Sequence, residues 1–318
     1  MMVLSAKNNK KPVIIDVDTG IDDAVALSIA FACKNLDVLL ITTGAGNVGA
    51  QQATENTLNI INLLKHPQIP VAMGESEPLK RKRNVVSVHG ADGIGGYSKN
   101  FPKHNLKSID KIAHQAMADA ILSCKKPVTI IGLGPLTNIA KLLTLHPEAK
   151  KNIAEIVIMA GSIEQYTPGE LPYFGFNVKV DPEACEEVVN TTDVKIVVSP
   201  TDLGHMSYLT YEEVYKTKNL NMAGKIFEEI FRQYHDHHIK NGIAMHDSCA
   251  VAYVAHPEIF GVEKLHVYVR YYKELENAGV LRCEWNDPRN IDVCTSMNLK
   301  KFKRLYFKSL AKTRTLED

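Results

Sequence analysis

The feature that most constrains the fold is an alternation of short β-branched runs with longer stretches of helical character. A strand over 13–15 precedes a helix from about Asp22, one over 38–43 precedes a helix over 51–64, and one over 127–132 precedes a helix over 136–145. Repeated strand–helix–strand units bury both kinds of element when the strands lie parallel and the helices cross over their faces. Further strands are expected over 156–160, 194–199 and 265–272. The expected architecture is therefore α/β, an open, mostly parallel (mixed) β-sheet flanked by helices and Rossmann-like in its layering. No Pro/Gly-rich linker, charge block, repeat or low-complexity tract interrupts the 318 residues. One domain over 1–318 is expected, with 1–11 as a flexible N-terminus.

The 37 basic and 36 acidic side chains nearly cancel. Neither nucleic acid nor a membrane surface is thus expected as a partner, and a small molecule is. The opening MMVLSAKNNKKP lacks the apolar stretch of a secretory signal, and no later run is long enough to span a bilayer, so a cytoplasmic location is expected. Six scattered cysteines without a CxxC pair read as reduced core thiols. Gly-rich and polar stretches at 44–49, 74–98, 161–177 and 235–247 are where a ligand crevice would form, outside the carboxyl ends of the strands.

The first strand leads into Asp16-Val17-Asp18-Thr19-Gly20-Ile21-Asp22-Asp23, four carboxylates in eight residues at a strand-to-helix junction. Along a strand Asp16 and Asp18 project to one face, while Asp22 and Asp23 open the helix, whose positive end favours them. Helix capping accounts for one or two of the four. A cluster this dense raises its own pKa values unless a cation intervenes. Oxygen ligands with no Cys or His nearby suit a hard ion, calcium or magnesium. An EF-hand starting at Asp16 would need Gly at 21 and Glu at 27, where Ile21 and Leu27 stand. A haloacid-dehalogenase-type phosphatase, which would use Asp16 as nucleophile, also opens with a strand and DxD, but Gly20 stands where it needs Thr or Val. Gly44-Ala45-Gly46-Asn47-Val48-Gly49 fits the GxGxxG of dinucleotide sites, a weak signal alone.

The run DVDTGIDDAVAL resembles the DxDxGxDDAxAL signature of the inosine-uridine nucleoside hydrolase family. ITTGAGN at 41–47, HGADG at 89–93, GPLTN at 134–138, Phe176-Asn177 with DPEA at 181–184, and Met245-His246-Asp247 with AVA at 250–252 resemble the family's further motifs, in order. The resemblance implies the nucleoside hydrolase fold and hydrolysis of ribonucleosides by a homodimer or homotetramer. It also implies Ca2+ held by Asp18, Asp23, Asp247 and the backbone carbonyl of Leu133, with Asp18 as general base. Asp22, Asn47 and Asn177 would bind the ribose, Met159 the substrate, His89 would lie near the base, and His246 would protonate the leaving base.

Tyr234 is a candidate for stacking on the base, and the neighbouring His235, His237 and His238 read as a solvated face or pocket rim. The family pattern places a ribose-binding Glu where this chain has Gly175, in a loop about two residues longer than usual. Glu170, or less directly Glu164, could fold back over the sugar in its place. A non-catalytic or weakly active nucleoside-binding relative is the alternative this departure raises.

Overall fold

The computed structural model describes residues 10–82, 89–163, 175–232, 242–273, 276 and 278–316. Eleven strands are present among them: β1 (Lys11–Val17), β2 (Leu36–Thr43), β3 (Val71–Met73), β4 (Val128–Gly132), β5 (Ile153–Met159), β6 (Ile196–Ser199), β7 (Leu209–Thr210), β8 (Gly242–Ile243), β9 (Phe260–Tyr272), β10 (Ala278–Glu284) and β11 (Ile291–Met297). Nine form one sheet in the order β10-β9-β11-β6-β5-β4-β1-β2-β3, and β7 and β8 make a separate two-stranded ribbon. From β11 to β3 every neighbouring pair is parallel, whereas β9 runs antiparallel to both β10 and β11. The mixed, mostly parallel sheet expected from the sequence is what forms.

Interior strands are apolar on both faces because helices cover both sides. Val13, Ile15 and Val17 of β1 enter one core cluster with helix α1 (Ile21–Ala32) and helix His246–Ala255. Ile14 enters the opposite cluster, with helices Ala113–Ser123, Thr137–Leu145 and Pro182–Val189. The same period-two split recurs in β4, where Ile131 faces one layer and Ile130 the other. Each fully buried Ile or Val contributes about 1.5–3 kcal/mol relative to exposure. α1 is buried along nearly its whole length, which explains a segment as apolar as IDDAVALSIAFA after its first turn.

Strand order positions the site. The chain runs outward from β1 through β2 and β3, then returns to lay β4 against the other side of β1 and continues through β5 and β6. Adjacent strands whose connections leave in opposite directions open a crevice at their carboxyl ends. Asp18 follows β1 there, and Leu133 follows β4.

Residues 1–9 of the segment expected to be flexible lie outside the described residues. Lys11, placed in it, instead begins β1, where its amide donates to the carbonyl of Asn35. Among the described residues no helix is long and apolar enough to cross a membrane.

Candidate active site

Two helix N-termini converge beside the carboxyl end of β1. α1 contributes Asp22 and Asp23 from its first turn, and helix His246–Ala255, packed against it, contributes Asp247 from its own. One carboxylate oxygen from each lies within 4.8 Å of the others, and all three residues are buried. The positive ends of two helix dipoles favour anions here. Lost hydration and mutual repulsion oppose them more strongly. Burial, then the charges of Asp18 and Asp22, holds Asp23 well above the usual carboxylate range. Burial, then Asp22, Asp23 and Asp18, does the same at Asp247.

Asp23 shows what this arrangement lacks. Its Oδ2 accepts the Gly20 amide at 2.8 Å, but its buried Oδ1 has no hydrogen-bond donor among the described residues. Leaving such an oxygen unmatched costs about 1–3 kcal/mol or more. A divalent cation would satisfy it and neutralise the trio, and an all-carboxylate set suits a hard ion. These residues fit a bound metal.

Asp18 stands beside the trio. Its Oδ2 accepts the Asn47 amide at 2.6 Å. Burial pushes its pKa up to about 7, against the Asn47 hydrogen bond and with a further push from Asp22. A cation beside it would favour the ionised form, the one able to take a proton from water. A methyl group on Gly46 would lie 2.0 Å from Asp18 Oδ2, so this loop needs glycine to reach the carboxylate. Contact with Asp18 accounts for the central glycine of the GxGxxG-like run without a dinucleotide.

Asp16 is used differently. Its Oδ1 accepts from Thr42 Oγ1 at 2.6 Å and Asn138 Nδ2 at 2.9 Å, and burial raises it to about 7 against those two bonds. A phosphatase nucleophile must be open to attack phosphorus, and this carboxylate is buried and braced between β2 and helix Thr137–Leu145.

The remaining expected residues fall into small groups. Asn177 Nδ2 donates to the Leu133 carbonyl at 2.5 Å and the Met159 carbonyl at 3.0 Å, joining three of them. His89 Nδ1 accepts the Ile21 amide at 3.2 Å and lies 3.8 Å from Asp22 Oδ1. His246, buried, opens the helix that carries Asp247. Tyr234, Glu164, Glu170 and His235, His237 and His238 lie outside the described residues. Sequence reasoning missed helix Thr201–Met206, whose Gly204 and His205 pack against His246. The available signal was its place directly after parallel strand β6, on the crevice side of the sheet.

Metal binding and protonation should be linked in this cluster. With its folded-state pKa raised from 3.8 to about 7, Asp18 favours the metal-free fold below its unfolded pKa, and that contribution is lost as pH rises through about 7. A cation needs the ionised carboxylates and so displaces protons. Titrating metal-free protein with calcium should release more protons per ion at pH 6 than at pH 8, read by calorimetry in buffers of different ionisation enthalpy. Equal release at both pH values would contradict the linkage.

An α/β enzyme with a buried acidic crevice is thus defined by fold and site. A family model for inosine-uridine preferring nucleoside hydrolases matches residues 13–304. The non-specific ribonucleoside hydrolase RihC of Escherichia fergusonii is 36% identical over 306 residues, covering 95% of this chain and 98% of its own. That of Klebsiella pneumoniae is 35% identical over 300 residues, covering 92% and 96%. Among solved structures, a purine-preferring ribonucleoside hydrolase from Gardnerella vaginalis superposes with a TM-score of 0.84 at 27% identity, covering 95% of this chain and 98% of its own. The chain belongs to the inosine-uridine preferring nucleoside hydrolase family.

Proposed function

We propose that this nucleoside hydrolase cleaves the N-glycosidic bond of ribonucleosides to ribose and free base, using calcium held by Asp18, Asp23, Asp247 and the Leu133 carbonyl. The observation that carries the reading is the unmatched Asp23 oxygen within the buried cluster of Asp22, Asp23 and Asp247. Asp18, whose charge acts on both Asp23 and Asp247, is taken as the ligand in place of Asp22 from the family resemblance. When bound, the ion would lower the pKa of a water and hold it near the sugar. Asp18 would take a proton from the attacking water as its oxygen bonds to the anomeric carbon, and the electrons of the breaking C–N bond would leave with the base. His246 gives the base a proton. The surrounding carboxylates stabilise positive charge developing on the ribosyl group. Asp22, Asn47 and Asn177 orient the sugar hydroxyls, while His89, Met159 and Tyr234 belong to the substrate pocket.

Among the described residues a Cβ on Gly175 would meet only the Gly161 amide nitrogen, at 3.8 Å, so the backbone there tolerates a side chain. Glu170 is the proposed replacement. The non-catalytic alternative rests on this one position, and no feature of the acidic cluster favours it. From the family resemblance we also take the protein to be a homodimer or homotetramer acting on a small ribonucleoside, and from its sequence and balanced charge to be cytoplasmic, with neither nucleic acid nor membrane as partner.

The relatives above carry different base preferences in their names, non-specific and purine-preferring. The test is therefore a panel of purine and pyrimidine ribonucleosides, scored for ribose release before and after exhaustive chelation. Chelation should abolish turnover and calcium should restore it. Full activity without a divalent ion would remove the metal from the mechanism, and failure to release ribose from any ribonucleoside would overturn the assignment.

A further inference from the structure

We propose that Gly204 and His205 are positioning residues for His246, fixing the orientation of the ring that serves the departing base. The inference rests on the reading of His246 as the proton donor. Its physical basis is helix Thr201–Met206, which is tied to the site on two sides. Toward the loop after β5, the Thr201 amide donates to the Gly161 carbonyl at 3.0 Å, the Thr201 hydroxyl donates to the same oxygen, and Asp202 Oδ2 accepts the Ile163 amide at 2.9 Å. Toward helix His246–Ala255, the Met245 amide donates to the Gly204 carbonyl at 3.4 Å, and Cys249 Sγ lies 3.3 Å from Ser207 Oγ. The backbone behind His246 is thereby held from both directions.

Against that backbone the imidazole is set edge first. A methyl group on Gly204 would lie 1.8 Å from His246 Nδ1 and 2.5 and 2.6 Å from Cε1 and Cγ, the two atoms flanking that nitrogen. The Nδ1 edge is therefore seated on the bare Cα of Gly204, and Nε2 lies on the opposite edge. Only glycine permits this approach. The His205 ring meets the His246 ring nearly at right angles, with centroids 5.1 Å apart and an interplanar angle of 73°. Edge-to-face contact is a preferred aromatic geometry and opposes rotation of the ring out of place. A donor must lie within hydrogen-bond reach of the group it protonates, so a ring free to turn loses rate even when its chemistry is intact.

The experiment compares His205→Ala, His205→Phe and His246→Ala in calcium-loaded enzyme, on a purine ribonucleoside and on p-nitrophenyl riboside, whose leaving group needs no proton. His205→Ala should lower kcat on the purine ribonucleoside about tenfold. Its KM should stay within about twofold and the nitrophenyl substrate should be nearly unaffected, with His205→Phe recovering most of the loss. Nitrogen NMR of the His246 ring supplies a readout independent of turnover, with shifts that move in His205→Ala and return in His205→Phe. Equal losses on both substrates, no loss on either, or unmoved His246 resonances in His205→Ala would overturn the positioning role. If His246→Ala itself slows both substrates equally, the proton-donor reading fails, and the resonances alone then decide whether His205 positions the ring.

Discussion

Asp18→Asn should lower kcat on ribonucleosides by roughly 10,000-fold, the upper end of what a general base contributes, because the substitution also removes a proposed metal ligand. The amide is nearly isosteric, and its oxygen can still accept the Asn47 amide that Asp18 accepts at 2.6 Å. Loop 44–49 should therefore keep its place and the protein its fold. What disappears is a group able to take a proton and one negative charge beside Asp23 and Asp247, both of which register Asp18 electrostatically. Steady-state kinetics with calorimetric calcium titration would separate the two effects. A variant turning over within tenfold of the parent would show that another group accepts the proton.

The second large effect is expected at His246. General acid help is worth about 100- to 10,000-fold, so His246→Ala should slow ribonucleosides by that range. Substrates whose base leaves poorly should suffer most, and p-nitrophenyl riboside should lose far less. The deleted ring fills a buried position against Gly204 and His205, so the variant also leaves a cavity. A cavity would reduce stability for every substrate alike and cannot produce selectivity by leaving group. Comparable losses on both substrates would make His246 a packing residue.

The central strands were legible because burial on both faces demands continuous apolar runs, and β1, β2, β4, β5 and β6 all have them. β3, only Val71–Met73, is too short to show a period. The start of β9 was missed by five residues because Val262, Glu263 and Lys264 are exposed there and read as loop. In the site, Asp18, Asp22 and Asp23 announced themselves by density within one junction. No spacing rule could place Asp22 with Asp247, since that contact depends on the packing of α1 against a helix far along the chain. His205 was invisible for the same reason, as was the switch of Asp16 from site candidate to brace, which required knowing that Thr42 and Asn138 flank it.

The carboxylate trio draws on chain segments made at very different times. Asp22 and Asp23 leave the ribosome early, whereas Asp247 emerges only after six strands of the main sheet have been synthesised. Until helix His246–Ala255 docks on α1, Asp22 and Asp23 lack the third carboxylate that the folded site gathers beside them. Ion capture would thus act as an audit of completeness: a chain ending before that helix would lack Asp247, one of the buried carboxylates proposed to hold the metal.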